Sequence, residues 1–297
     1  MAEISLEVNI LHAFTNGETG GNPAGVVVNK ELLSSKQMQQ IAAKVGCSET
    51  AFVLGSSNSE TDYRIHYFTP NDEVDICGHA TIAAFSLMLS KDIVKEGSYS
   101  FECRAGILKV EINGLGEVFL EQLPPAYYEI DSKDEILNSL HITSANLDDR
   151  LPIEIVSTGL KDILVPIKDL HTLNTIKPDL PQVMALCRKY NTVGYHLFTL
   201  EAERGLIAIC RNFAPLYGID EESATGTSMG ALTCYLYKNN LLPLEEKVYM
   251  FEQGHALKQV SKLKTLLDVS SDGDLLVRVG GSASYLQQIT VEVPCDK

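Results

Sequence analysis

Positive charge is scarce in this chain. Its 24 lysines and arginines stand against 39 aspartates and glutamates, a net charge of −15 over 297 residues. A nucleic acid or an anionic membrane surface needs a basic face on its partner, so neither fits. Long apolar runs are also missing. The longest, over 76–89, is too short to span a bilayer and contains His79. The first residues, Met1-Ala2-Glu3-Ile4-Ser5-Leu6-Glu7, are acidic and do not read as a signal peptide. The seven cysteines (Cys47, Cys77, Cys103, Cys187, Cys210, Cys234 and Cys295) form no C-x-x-C pair and are odd in number. That argues against a disulfide framework and against a zinc site, and a reducing cytoplasm is the expected setting. Nucleotide signatures are lacking too. Gly20-Gly21-Asn22-Pro23-Ala24-Gly25 has neither G-K-[ST] nor a G-x-G-x-x-G opening a helix, and Gly280-Gly281 reads as a turn. No G-x-S-x-G elbow occurs. A reaction without cofactor or metal is what these absences leave.

Two short segments are present that look like one device used twice. One is Ile76-Cys77-Gly78-His79-Ala80-Thr81; the other is Ala224-Thr225-Gly226-Thr227-Ser228-Met229. Each follows an acidic stretch and opens a helix of small and apolar residues. A helix start offers unpaired backbone N–H groups and a partial positive charge. Two such starts facing one cavity would hold a carboxylate-bearing ligand.

The chain is long enough for two domains, each with its own core. Alternation and turn residues predict strands over 8–14, 24–28, 51–54 and 63–68, with a helix over 35–45. A helix over 79–89 is followed by strands over 99–103, 107–112 and 117–121. Leu123-Pro124-Pro125 reads as a linker. Beyond it come helices over 133–140, 181–190 and 227–237. Strands are predicted over 153–157, 163–166, 196–200, 206–212, 247–251, 275–279 and 289–293. The helices over 79–89 and 226–236 lack a wide polar face, so both should be buried. A strongly curved sheet wrapped around each satisfies that need. The expected fold is therefore α+β: two pseudo-symmetric domains, each a curled, mostly antiparallel sheet (a half-barrel) around a central helix, with a cleft between them.

Several polar residues could carry chemistry. Glu49 stands between a helix exit and an apolar strand. Apolar neighbours would raise its pKa into the range of a proton-transfer group, and an ordinary surface glutamate is the plain alternative. His79 is either an acid/base group or a residue hydrogen-bonded at its own helix start. Cys77 is either a thiol of lowered pKa or a small buried hydrophobe. Asp75 is expected to favour the helix start electrostatically from outside. Glu222, in Asp220-Glu221-Glu222, reads most simply as part of a solvated acidic loop.

These segments together resemble the phenazine-biosynthesis PhzF-like proteins, relatives of diaminopimelate epimerase. The resemblance rests on Phe14 with Gly21-Asn22-Pro23-Ala24-Gly25-Val26-Val27, Ser48-Glu49-Thr50-Ala51-Phe52-Val53 and Tyr67-Phe68-Thr69-Pro70. It continues in Glu73-Val74-Asp75-Ile76-Cys77-Gly78-His79-Ala80-Thr81, Gly218-Ile219-Asp220-Glu221-Glu222-Ser223-Ala224-Thr225-Gly226 and Val279-Gly280-Gly281. It implies a diaminopimelate epimerase-like fold divided as 1–122 plus 283–297, and 123–282, with the active site between the domains and a homodimer in solution. It places Glu49 on the family's main acid/base, and His79 and Glu222 on supporting polar positions. Gly78, Thr225, Gly226 and Thr227 fall around the substrate, a small carboxylate. The implied reaction is a cofactor-independent isomerisation by proton movement on a conjugated carboxylate, such as a dihydro-hydroxyanthranilate. The alternatives are an amino-acid racemase, epimerase or dehydratase using Cys77, and a non-catalytic binding protein on the same fold. The chain departs from the family pattern at Glu222 (usually Asp), Ser223 (usually Pro) and Thr227 (usually Ser). It also lacks a Gly-Arg-Pro-Ser run near 254–261.

Overall fold

The computed structural model describes residues 3–28, 33–242 and 247–295. The chain divides into two compact units, Met1–Glu121 with Gly280–Lys297, and Gln122–Val279. The first holds β1 (Glu3–Asn16), β2 (Thr19–Val28), α1 (Ser35–Val45), β3 (Glu49–Gly55), β4 (Tyr63–Phe68), β5 (Glu73–Val74) and α2 (Gly78–Ser90). It continues with β6 (Gly97–Cys103), β7 (Gly106–Ile112) and β8 (Val118–Glu121). The second begins with β9 (Ala126–Tyr128), α3 (Lys133–Ser139), β10 (Glu154–Ser157), β11 (Lys161–Pro166), α4 (Leu170–Thr175) and α5 (Leu180–Tyr190). After them come β12 (Gly194–Thr199), β13 (Ala208–Ala214), β14 (Ile219–Glu222), α6 (Gly226–Lys238), β15 (Tyr249–Gln253), β16 (Ser261–Val269) and β17 (Leu275–Gly281). The chain then returns to the first unit as β18 (Ala283–Pro294).

The two units pair their strands in the same order. In the first, β1 is antiparallel to β2, β2 parallel to β3, and β3 antiparallel to β4. β4 is then antiparallel to β5 and parallel to β6, which is antiparallel to β7. In the second, β10 is antiparallel to β11, β11 parallel to β12, and β12 antiparallel to β13. β13 is antiparallel to β14 and parallel to β15, which is antiparallel to β16. The apolar helix follows the short strand in both cases, α2 after β5 and α6 after β14.

Each sheet curls because its helix must be covered on every side. α2 is buried from His79 to Met88 apart from Ser86, and it touches β1, β2, β3, β8 and β18. α6 is buried from Ser228 to Leu236 and touches β10, β11 and β16. Two threonine hydroxyls on these helices bond to their own helix backbone: Thr81 donates to the Cys77 carbonyl at 2.7 Å and Thr233 to the Met229 carbonyl at 2.9 Å. α1 is different. It is amphipathic, with Met38, Ile41 and Ala42 packed on Val8, Val27, Phe52 and Val291. Ser34 and Gln37 close a capping box at its start, and Gly46 ends it in the left-handed region at φ 71°. That stop delivers the chain directly into β3, whose first residue is Glu49.

Several elements escape sequence periodicity. β16 alternates inward at Ser261, Leu263 and Thr265, so two of its three inward residues are hydroxylic and the apolar signal is weak. β1 starts at Glu3 and β18 runs over twelve residues, both longer than expected, because they pair with each other along nearly their full length. The chain after Leu123-Pro124-Pro125 forms β9, which pairs with β10.

Candidate active site

The first helix start and the end of α1 converge on one cluster. β3 runs parallel to β2 with Glu49 opposite Ala24. The strands come close because β2 carries Gly25: a Cβ there would meet Thr50 Oγ1 at 2.7 Å and Val45 Cγ1 at 3.0 Å. His79, on the first turn of α2, places Nε2 at 3.2 Å from Glu49 Oε2. Ser48 Oγ lies 3.3 Å from the same ring nitrogen, and the Asn22 amide lies 3.4 Å from Nδ1. Cys77 Sγ is 3.4 Å from Nδ1. The Glu49–His79 approach is a charge contact rather than an aligned hydrogen bond. Glu49 Oε2 is buried and accepts no hydrogen bond from the described residues.

Electrostatics set the protonation states. Burial alone would raise the Glu49 carboxyl, but the close approach of the His79 ring, helped by Ser48 and Cys77, outweighs it and holds the group below the ordinary glutamate value. Burial alone would likewise keep the His79 imidazole neutral. Cys77 and Glu49 reverse that and raise it well above the ordinary histidine value. Burial and the Glu49 charge push the Cys77 thiol up, with His79 opposing. At neutral pH Glu49 is therefore a carboxylate, and the His79 imidazole beside it is drawn toward its protonated form. This corrects two expectations. Glu49 is lowered, not raised, because a cation rather than apolar surface is its nearest neighbour; Cys77 is raised, not lowered, because it is buried beside a carboxylate.

Glu49, Cys77 and His79 also offer three potential metal-ligand atoms within 4.8 Å of one another. Sequence spacing gives no sign of such a set, since β3 and α2 are brought together only by the fold. The S, N and O donors form a zinc-type combination. Their direct contacts with one another equally suit the passing of a proton.

No side-chain oxygen caps α2 or α6, whereas Ser34, Asp169 and Asp179 cap α1, α4 and α5. Thr225 stands at the N-cap of α6, yet its hydroxyl donates to Glu222 Oε2 at 2.7 Å and accepts from Gln253 Nε2 at 3.0 Å. Gln253 also donates to the Glu222 carbonyl at 2.7 Å and accepts from the Thr225 N–H at 3.2 Å. The first-turn amides of α6 are thus left without a side-chain acceptor. At α2, an added Cβ on Gly78 would meet nothing within 4 Å, so open space lies over this helix start. Thr227 accepts a hydrogen bond at its carbonyl from Thr158 Oγ1, at 3.3 Å.

The acidic segment is not a solvated loop. It forms β14, with Glu221 gripped by the buried Arg211 through two contacts of 2.8 Å. Arg211 also donates to the Leu173 and Ile176 carbonyls at 2.8 Å each. Asp75 does not serve the start of α2; its exposed side chain turns to Arg104, 3.4 Å away. Asn22, Ser48 and Gln253 are polar partners that sequence reasoning assigned no role. Asn22 and Gln253 each sit in a strand among buried neighbours, which is the signal that could have singled them out.

Glu49, His79 and Cys77 thus meet beside the open start of α2, and groups of these types can exchange protons. The family model described as "Phenazine biosynthesis-like protein" matches residues 11–288, and the chain belongs to that PhzC-PhzF family. It is 32% identical to an uncharacterized isomerase of Clostridium acetobutylicum over 92% of this chain and 93% of the relative. It is 33% identical to the uncharacterized isomerase YddE of Escherichia coli K12, over 94% and 96%. Among solved structures, a PhzF-family protein of Bacillus anthracis superposes with a TM-score of 0.87 at 28% identity, covering 97% of this chain and 99% of that one. The protein is accordingly an enzyme of isomerase type on the epimerase-like fold.

Proposed function

We propose that this protein is a cofactor-independent isomerase that moves a proton between carbons of a small conjugated carboxylate. The observation that carries the reading is the Glu49–His79 pair at 3.2 Å beside the open start of α2. Glu49, already a carboxylate, takes the proton from a carbon acidified by conjugation. The electron pair left behind spreads into the conjugated system, and the proton returns at another carbon, so substrate and product are isomers. The His79 imidazolium opposes the negative charge that develops. The amides around Gly78, and in the second unit those of Gly226 and Thr227, are anion-holding groups, with Glu222 and Thr225 as polar supports. A homodimer and a cytoplasmic setting complete the reading.

The test is incubation with candidate carboxylates in D₂O, followed by NMR. Enzyme-dependent deuterium at carbon is the expected result. Glu49→Gln should lower its rate by roughly 10²–10⁴-fold, the usual contribution of a positioned acid/base. Full turnover by that variant would remove Glu49 from the mechanism. Loss of turnover on replacing Cys77 while Glu49→Gln stayed active would favour a thiol-based racemase instead.

A further inference from the structure

The cluster at the start of α2 has the composition of a cation site as well as of a proton site. Glu49 on β3, Cys77 at the N-cap of α2 and His79 on its first turn bring one oxygen, one sulfur and one nitrogen within 4.8 Å of one another. His79 Nε2 lies 3.2 Å from Glu49 Oε2 and 3.8 Å from Cys77 Sγ. A tetrahedral zinc ion, with bonds of about 2.3 Å to sulfur and about 2.0–2.2 Å to nitrogen and oxygen, holds such donors roughly 3.3–3.6 Å apart. The two separations bracket that range, so small side-chain movements bring the donors to it. Glu49 Oε2 is buried and has no hydrogen-bond partner among the described residues, an acceptor without a donor. Charge closes too. One carboxylate and one thiolate match both charges of the ion, so the buried complex is neutral. Magnesium or calcium would instead call for a shell of oxygens, which these three residues do not supply. Around the donors, the Asn22 amide lies 3.4 Å from His79 Nδ1, placed to orient the ring when Nε2 is ligated. The open space over Gly78 leaves room for a water or ligand oxygen as fourth donor.

We propose that Glu49, Cys77 and His79 bind a divalent cation of zinc type, and that the bound ion inhibits the enzyme by occupying its base. Binding exchanges protons for metal. The Cys77 thiol gives its proton to solvent as the sulfur–metal bond forms, and His79 binds through an unprotonated Nε2. Glu49 then directs to the ion the lone pair with which it would take a proton from carbon. No electron is transferred, so no oxidant or reductant is needed. The inhibition rests on the reading of Glu49 as the base; the binding does not. Cys77, which the proposed proton transfer leaves without a task, is here the donor that selects a borderline-soft ion over a hard one.

Cobalt(II), whose absorption reports its ligands, is the probe, titrated into the full chain after treatment with a chelator. One ion per chain should bind, with a thiolate-to-cobalt charge-transfer band in the near ultraviolet. Zinc should displace it and magnesium should not. Cys77→Ala should abolish the band. Glu49→Gln and His79→Gln should each weaken binding by about tenfold or more, since even outer-shell losses cost roughly 10–100-fold. Circular dichroism of each variant confirms that it is folded. Absence of the band in wild type would overturn the proposal. So would a band that survives Cys77→Ala, which would assign the ion to a partly accessible thiol such as Cys47, Cys103 or Cys295. The second readout is deuterium exchange into the substrate found in the D₂O screen. Stoichiometric zinc should stop it, and a chelator should restore it. Zinc bound at this cluster without slowing exchange would overturn the inhibition and the reading of Glu49 as base, while the cation site stands. The cobalt spectrum needs no turnover, so failure of the site is distinct from failure of the Glu49 assignment.

Discussion

Glu49 and His79 hold each other charged, and the pH limits of that pair can be measured. The folded carboxyl lies below its ordinary value of 4.5, so its contribution to stability is present above 4.5 and is lost as pH falls. The folded imidazole lies above its ordinary value of 6.5, so its contribution is full below 6.5 and is lost as pH rises through the raised value. The pair therefore stabilises most between 4.5 and 6.5. The gap in melting temperature between wild type and His79→Gln should be widest in that interval and should narrow on both sides. A gap unchanged from pH 4 to 9 would mean that the two groups do not titrate together.

Helix starts carry the next level of argument. Gly78 has neither a positive φ nor a tight neighbour, so neither backbone strain nor packing requires glycine there. Replacement by alanine at a compatible helical position stabilises by about 0.4–1 kcal/mol. Gly78→Ala should melt at or above the wild-type temperature while weakening carboxylate binding on the order of tenfold, about 1.4 kcal/mol. Calorimetry on the substrate found in the D₂O screen checks both halves, and unchanged affinity would show that no ligand approaches this turn. β14 offers a structural counterpart. Arg211→Met leaves the partly buried Glu221 carboxylate without its partner and should cost about 3 kcal/mol in urea unfolding, the low end of the range for a broken buried pair. Gly254, on the segment after β15, shows the opposite use of glycine to Gly78. A Cβ there would meet the Gln259 carbonyl at 2.2 Å at φ +92°, so this residue is demanded by packing and conformation alike.

For the whole molecule, the thiols give a simple measure of how completely the two units close around their helices. Cys77, Cys187, Cys210 and Cys234 are buried, while Cys47, Cys103 and Cys295 are partly accessible. A thiol reagent should titrate at most these three in the native protein and all seven after denaturation. Fast modification of a fourth would mean that one of the helices is less well covered than its burial indicates. Melting should be insensitive to reductant, since all seven thiols are free.

The sequence alone determined a good deal. The two apolar helices carry their own burial requirement in residues such as Ala80, Ile82, Ala83, Phe85 and Met88, and only a wrapped sheet meets it. The motifs around Glu49, His79 and Glu222 pointed to the family for the same reason: short-range order is written along the chain. Protonation was not legible there. Glu49 and His79 are thirty residues apart in sequence, and the charge that lowers one and raises the other exists only once β3 and α2 lie side by side. The Asp162–Ser228 contact spans sixty-six residues and leaves no local trace. Periodicity reports which face of an element is buried; which polar groups meet inside that burial, and with what charge, is decided by tertiary contact.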